Sequence, residues 1–306
     1  MPSTKKNKII IAGSVAFDSI KTHAASAKNV IGGSASYASI AASYFAAPKL
    51  IAAVGADFTH KYIAPFKKRG IDLSGLQIKN GKTFEWGASY DKDFKNATTL
   101  YTRLNVFAGF EPMLAPGDAG IKTVFLANIA PALQMSVLNQ MKSPALIACD
   151  TMNFWIQHNR AELARLLKKV HILFVNEAET RQLTGTYNLI KAGRQILKAG
   201  PQVVIIKLGP NGAILITKDF MCHLPPYLID SPADTTGAGD SFGGGFTGYL
   251  AAAKNWRDMK TLKRAMAVGT VMASFAIESF SITRLAGLSK QQIDKRLADY
   301  INTMKI

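Results

Sequence analysis

Residues 234 to 242, Asp-Thr-Thr-Gly-Ala-Gly-Asp-Ser-Phe, bring together the parts that phosphoryl transfer to an alcohol requires. Gly237, Ala238 and Gly239 let the backbone bend so that successive N–H groups face one side, and the small, apolar run after Asp240 reads as a helix. A bent row of N–H groups at a helix N-terminus binds anions. A carboxylate beside that anion is repulsive unless it has a task, and accepting the proton of an attacking hydroxyl is such a task for Asp240. The plain alternative is a glycine turn whose aspartate caps the helix and meets the positive end of its dipole.

Other polar residues collect where apolar runs stop. Asp18 is expected in a loop beyond the buried strand Ile9 to Ala12, placed to accept hydrogen bonds from neighbouring hydroxyls, or else simply solvated. Asp150 and Asn153 follow the strand Ala145 to Cys149, and Asn176 follows His171 to Val175. Asn176-Glu-Ala-Glu179 can cap a helix or gather polar groups around a ligand. Lys207 ends the strand Val203 to Lys207 and either touches a phosphate or caps the sheet edge, with Gly209 in the tight turn behind it.

The elements that must position these residues alternate. Short β-branched runs at 9–12, 50–54, 123–127, 145–149, 171–175 and 203–207 are separated by helical segments such as 34–45, 57–69, 131–141 and 160–169. Repeated β-α units predict an α/β fold with a mainly parallel central sheet, helices on both faces and right-handed crossovers. Ile214 to Thr217 and Met221 to Leu224 read as antiparallel strands near the sheet edge, and 241–253, 262–279 and 289–304 as helices, the last opened by a Ser289/Gln292 capping box. Thr83 to Tyr90 and Thr98 to Val106, aromatic and β-branched around a polar turn, interrupt the order as an antiparallel hairpin.

The 306 residues carry 48% hydrophobic side chains, enough for a large core. Cys149 and Cys222 lie in separate apolar runs, without the spacing of a disulfide framework or zinc site. The N-terminus is basic but lacks the apolar core of a signal peptide, and no run reaches membrane-spanning length, so the expected location is the cytoplasm, without a membrane partner. The net charge of +17 is spread over pairs such as Lys67-Lys68 and Lys168-Lys169, which read as solvated helix faces rather than a nucleic-acid footprint. No GxxxxGK[ST] or HExxH occurs, and the glycines at 237–239 lie too late, at the wrong spacing, for a dinucleotide fingerprint.

The nonapeptide at 234–242 resembles the C-terminal signature of the ribokinase-like (PfkB) family of carbohydrate and nucleoside kinases. Gly32-Gly33, opening the small-residue helix at Ser34, is similar to that family's N-terminal Gly-Gly element, and Asn176 to Glu179 to its N-x-x-E motif. The resemblance spans essentially the whole chain and implies a ribokinase-like three-layer sandwich, one domain over 1–306, with a small β-sheet lid from inserted segments at about 14–33 and 82–109. It implies an ATP-dependent kinase in which phosphate lies on Gly237, Ala238, Gly239 and Asp240, and Asp240 is the general base. Asp18, Gly32, Gly33, Tyr37 and Asn153 then hold the acceptor, and Asn176, Glu179, Lys207, Gly209 and Thr236 serve the nucleotide. Asn176 and Glu179 organise Mg2+ through water, and Asp234 and Thr236 match the family's monovalent-cation position, open to K+. The lid is a candidate homodimer surface.

Tyr37 departs from the asparagine that ribokinases carry, which argues against ribose itself. Phe84, Trp86, Tyr90 and Tyr101 either stack on a base or pack the hairpin on the core. Asp150 to Asn153 lacks the arginine that many sugar-kinase relatives carry after a similar element, which weighs against an acidic or phosphorylated sugar. A neutral sugar is therefore the expected acceptor and a nucleoside the alternative. A non-catalytic sugar- or nucleotide-binding regulator is the competing class, and retention of Asp240 with the anion cradle argues for the enzyme.

Overall fold

The computed structural model describes residues 6–92, 94 and 97–304; the start of the basic N-terminus and part of the polar hairpin turn lie outside the described residues. The first half runs β1 (Lys8–Ala12), β2 (Ala16–Lys21), β3 (Ser26–Gly32), α1 (Ser34–Ala42), β4 (Ala47–Gly55), α2 (His60–Lys68), β5 (Leu76–Lys79), β6 (Phe84–Tyr90), β7 (Ala97–Arg103), β8 (Thr123–Leu126), α3 (Pro131–Asn139) and β9 (Leu146–Asp150). There follow α4 (Asn153–His158), α5 (Arg160–Leu167), β10 (Ile172–Asn176), α6 (Glu177–Thr184), α7 (Leu189–Lys198), β11 (Val203–Lys207), β12 (Ala213–Thr217) and β13 (Met221–Leu224). The chain closes with α8 (Ala238–Ala251), α9 (Met259–Ala276), α10 (Thr283–Ala286) and α11 (Lys290–Thr303).

Nine strands form one sheet in the order β13-β12-β11-β10-β9-β8-β1-β4-β5. It is parallel from β11 to β5 and antiparallel only at β12 and β13, as expected for the edge. Continuous apolar runs make strands of this kind because both faces are covered. In β1, Ile9 and Ile11 enter one core with the buried faces of α1, α8 and α9, while Ile10 and Ala12 enter the other with residues of α5 and α7. All four are fully buried. The same alternation in Ile172/Phe174 against Leu173/Val175 carries the three layers across the sheet.

A second sheet has the order β3-β2-β6-β7. Its β6–β7 pair is the antiparallel hairpin read from the sequence, and β2 joins β6 in parallel. This corrects the placement of Asp18: it lies within β2, 3% exposed, and not in a loop after β1. The polar residues around it weaken the strand signal, and pairing with β3 and β6 overrides local propensity.

Candidate active site

The parallel strands present their C-terminal ends on one side of the large sheet, where ligands of open α/β folds bind. At that side α8 starts with Gly237 at its N-cap in the left-handed region (φ 74°) and with no side chain capping the helix. A Cβ at position 237 would lie 2.3 Å from Cγ of Tyr37, so glycine is required there for both conformation and space. The first turn is closed by Ser241 N–H donating to Gly237 O at 2.8 Å, and Ala238 N–H donates to Thr235 O at 3.3 Å. α8 can sit this close to α1 because Gly244 lacks a side chain: a Cβ there would meet Ala38 O at 2.2 Å. That contact sets the two glycine elements, 32–33 and 237–239, beside each other.

Asp18 accepts the Gly33 N–H, and a Cβ on Gly32 would fall 1.9 Å from its carboxyl carbon. Gly33 itself has φ 89°. Burial raises the Asp18 carboxyl to about 8, and the negative charges of Asp234 and Asp240 add to it. Asp234 is 1% exposed; its Oδ1 accepts the Thr236 N–H at 2.9 Å and its Oδ2 is buried with no hydrogen-bond partner. Tyr90, the last residue of β6, reaches across from the small sheet, with its hydroxyl 2.9 Å from Thr236 Oγ1. The Tyr37 ring, 2% exposed, lies under Gly237 and floors the site; its surface is too enclosed for base stacking.

The strand ends supply the opposing charges. Lys207 Nζ donates to Asp150 Oδ2 at 2.8 Å, and a Cβ at Gly239 would come within 3.1 Å of the same ammonium. Asn176 and Lys207 are register partners on β10 and β11. Burial opposes the Lys207 charge, but Asp150 and Glu179 outweigh it and raise the ammonium above its ordinary value. Asp240 is raised to about 7, by burial and then by Asp150, against the pull of Lys207. Glu179 also rises to about 7, through burial, partly offset by Lys207. Its Oε2 accepts Asn176 N–H at 2.7 Å while Asn176 Oδ1 accepts Glu179 N–H at 2.8 Å, so the capping arrangement is present.

Asp18, Gly32, Gly33, Tyr37, Asp234, Thr236 and Asp240 thus share one neighbourhood, bordered by Lys207 and Glu179. Asn153 begins α4 instead, exposed, with Oδ1 taking the Phe154 N–H at 2.9 Å. Gly209 sits in a turn at φ 57°, where a Cβ would meet open space. Three contributors escaped the sequence reading of the site: Asp150 as the partner of Lys207, the Tyr90 bridge, and Gln134. Gln134 Nε2 lies within hydrogen-bond reach of the carbonyls of Leu126, Ala127 and Asp150, pinning the ends of β8 and β9. A strand-terminal acid was the available signal for Asp150; a tyrosine ending a lid strand carries none.

The family model described as pfkB family carbohydrate kinase matches residues 6–285. The chain belongs to that family, whose activity is phosphotransfer from ATP to a hydroxyl of a sugar or nucleoside. It is 27% identical over 224 residues to a cytidine kinase of Thermococcus kodakarensis, covering 71% of this chain and 79% of that protein. Among solved structures it resembles the nucleoside kinase of Methanocaldococcus jannaschii, with a TM-score of 0.77, 20% identity and coverage of 96% and 99%. It also resembles ribokinase of Giardia lamblia, with a TM-score of 0.80, 18% identity and coverage of 97% and 100%. These neighbours establish the ribokinase-like fold, a large mostly parallel sheet with a smaller lid sheet. Among the described residues no helix is long and apolar enough to cross a membrane.

Proposed function

We propose that the γ-phosphoryl group of ATP is transferred to a hydroxyl of a small neutral sugar, with Asp240 as the general base. The observation that carries this reading is the place of Asp240: in the first turn of α8, beside the Lys207 ammonium and within the electrostatic reach of Asp18. Asp18, on the Gly32-Gly33 backbone, holds the acceptor. The hydroxyl proton passes to the Asp240 carboxylate, the oxygen bonds to the γ-phosphorus, and the bond to the bridging oxygen breaks to release ADP. Amides at Gly237 to Asp240 and the Lys207 ammonium meet the phosphate charge, and this oriented positive field is where such catalysis gains most.

The donor set fits a hydrated magnesium ion. Asp150, Glu179 and Asp240 outnumber the single ammonium among them, all donors are oxygens, and Asn176 and Glu179 are placed to hold the ion through water. Such an ion supplies charge neutralisation at the transferring group. The partnerless buried Oδ2 of Asp234 fits a monovalent cation beside Thr236. Leu100 and Leu104, 60% and 47% exposed on and just after β7, support a homodimer contact through the lid.

A nucleoside is the second reading, favoured by Trp86. It is the register partner of Asp18 in the parallel β2–β6 pair, which puts the indole and the acceptor-holding carboxyl on one face of the small sheet. An ATP-consumption screen against aldoses, ketoses, keto-deoxy acids and nucleosides tests both readings. Turnover of neutral sugars supports the first and of nucleosides alone the second; activity confined to acidic or phosphorylated acceptors refutes both.

A further inference from the structure

The small sheet touches the phosphate-binding segment through a specific polar contact. Tyr90 closes β6, and its hydroxyl lies 2.9 Å from Thr236 Oγ1, joining residues 146 positions apart. Thr236 in turn gives its N–H to buried Asp234 at 2.9 Å, immediately before the left-handed turn at Gly237 that starts α8. The ring of Tyr90 lies 6.1 Å from that of Phe94 in the turn after β6, while its hydroxyl meets Thr236. Burial pushes this phenol up to about 12, which keeps it a neutral hydroxyl, able to donate or accept, across the working range of pH.

We infer that Tyr90 is a positioning residue: through Thr236 it registers the lid sheet on the anion cradle, so that the acceptor held by Asp18 in β2 is delivered in line with Asp240. The geometric chain is continuous. Asp18 pairs with Trp86 in β6, Tyr90 ends that strand, Thr236 receives it, and two residues further on Ala238 begins the helix that carries Asp240. The acceptor is held on the small sheet and the base lies on α8, and losing alignment between them is costly because transfer depends on near-attack geometry. A hydrogen bond of this kind contributes modestly in net terms, which corresponds to roughly two- to tenfold in an equilibrium.

The inference rests on the kinase reading, and its test has an arm that does not. Tyr90→Phe keeps the ring and removes the hydroxyl; Thr236→Val removes the other partner. In the ligand-free protein, amide exchange across 84–90 should quicken by roughly three- to tenfold in each variant. With the neutral sugar or nucleoside that the ATP-consumption screen identifies as acceptor, Tyr90→Phe should lower kcat by roughly three- to tenfold through lost alignment, with MgADP affinity retained. Unchanged exchange in Tyr90→Phe would overturn the inference even if the protein proves an active kinase. Failure of every neutral sugar and nucleoside in the screen with the exchange result intact would count against the substrate reading and leave the contact established. A fall in kcat and MgADP affinity together, with KM constant, would also overturn it by making Tyr90 part of the nucleotide site.

Discussion

Two helices of this protein start with the same local device and do different things. At α11, Ser289 accepts the Gln292 N–H and Gln292 returns the bond to Ser289 N–H; at α6, Asn176 and Glu179 exchange the same pair. The first box is exposed and neutral. The second is buried, with Glu179 7% exposed and its carboxyl pushed up to about 7. Gln292 shows that an amide suffices for capping, so the charge at Glu179 is surplus to the helix, and burying a charge without a task is unfavourable. The difference is location. α11 begins away from the strand ends, whereas α6 begins at the end of β10, facing Asp150, Lys207 and Asp240. An identical sequence pattern acquires a role from the charges around it.

The largest effect should come from the group that this cluster surrounds. Asp240→Asn keeps the shape of the first turn of α8 and removes the proton acceptor, so turnover should fall by roughly 10² to 10⁴ with MgADP affinity little changed. Near-normal phosphoryl transfer would remove Asp240 from the base role. In the wild type the carboxyl at about 7 is protonated, and idle as a base, below that pH, so the rate should rise through neutrality and level off above it. A profile flat from pH 5.5 to 8.5 would contradict this.

Lys207→Met tests the cation that the strand-end carboxylates share. Losing a charge-assisted contact to phosphate should cost on the order of 10- to 100-fold in kcat/KM. It should also move the rate midpoint to higher pH, since Lys207 is the larger of the influences that lower the Asp240 carboxyl. A midpoint that stays or moves down would mean the ammonium serves only Asp150.

Much of this architecture is legible in the sequence because parallel strands need unbroken apolar runs, and Ile9 to Ala12 or Val203 to Lys207 are hard to read otherwise. The cradle is legible because Gly237 is demanded by its own left-handed conformation, a local requirement. What resists reading is made by tertiary pairing. Asp18 sits in a strand only because β3 and β6 flank it, and Asn153 opens α4 with its Oδ1 accepting the Phe154 N–H. The Asp150–Lys207 pair spans 57 positions and the Tyr90–Thr236 bond 146, separations that carry no local signal. Tyr37, a residue expected to contact ligand, is buried beneath Gly237, whose missing side chain leaves room for the ring.

Glu179→Gln and Ser289→Ala break the two boxes in complementary ways and give the smallest effects. Glu179→Gln keeps an acceptor for Asn176 N–H but removes the charge, so the magnesium concentration for half-maximal rate should rise several-fold, of the order expected for a ligand's outer partner. Its stability follows from the raised carboxyl. The folded state holds that proton more tightly than the unfolded one, so the stabilisation is complete below the ordinary 4.5 and is lost as pH climbs through about 7. The Gln variant carries no such loss, and its melting temperature should equal or exceed that of the wild type at pH 8, with the advantage shrinking towards pH 5. Ser289→Ala should do the reverse: a stability cost of about 0.5–2 kcal/mol at every pH, seen as a lower denaturation midpoint, with kinetics and magnesium dependence untouched. If Glu179→Gln instead lowered stability at pH 8 and left the magnesium titration unchanged, the buried box would be a cap like the exposed one, and the contrast between the two helix starts would be one of burial alone.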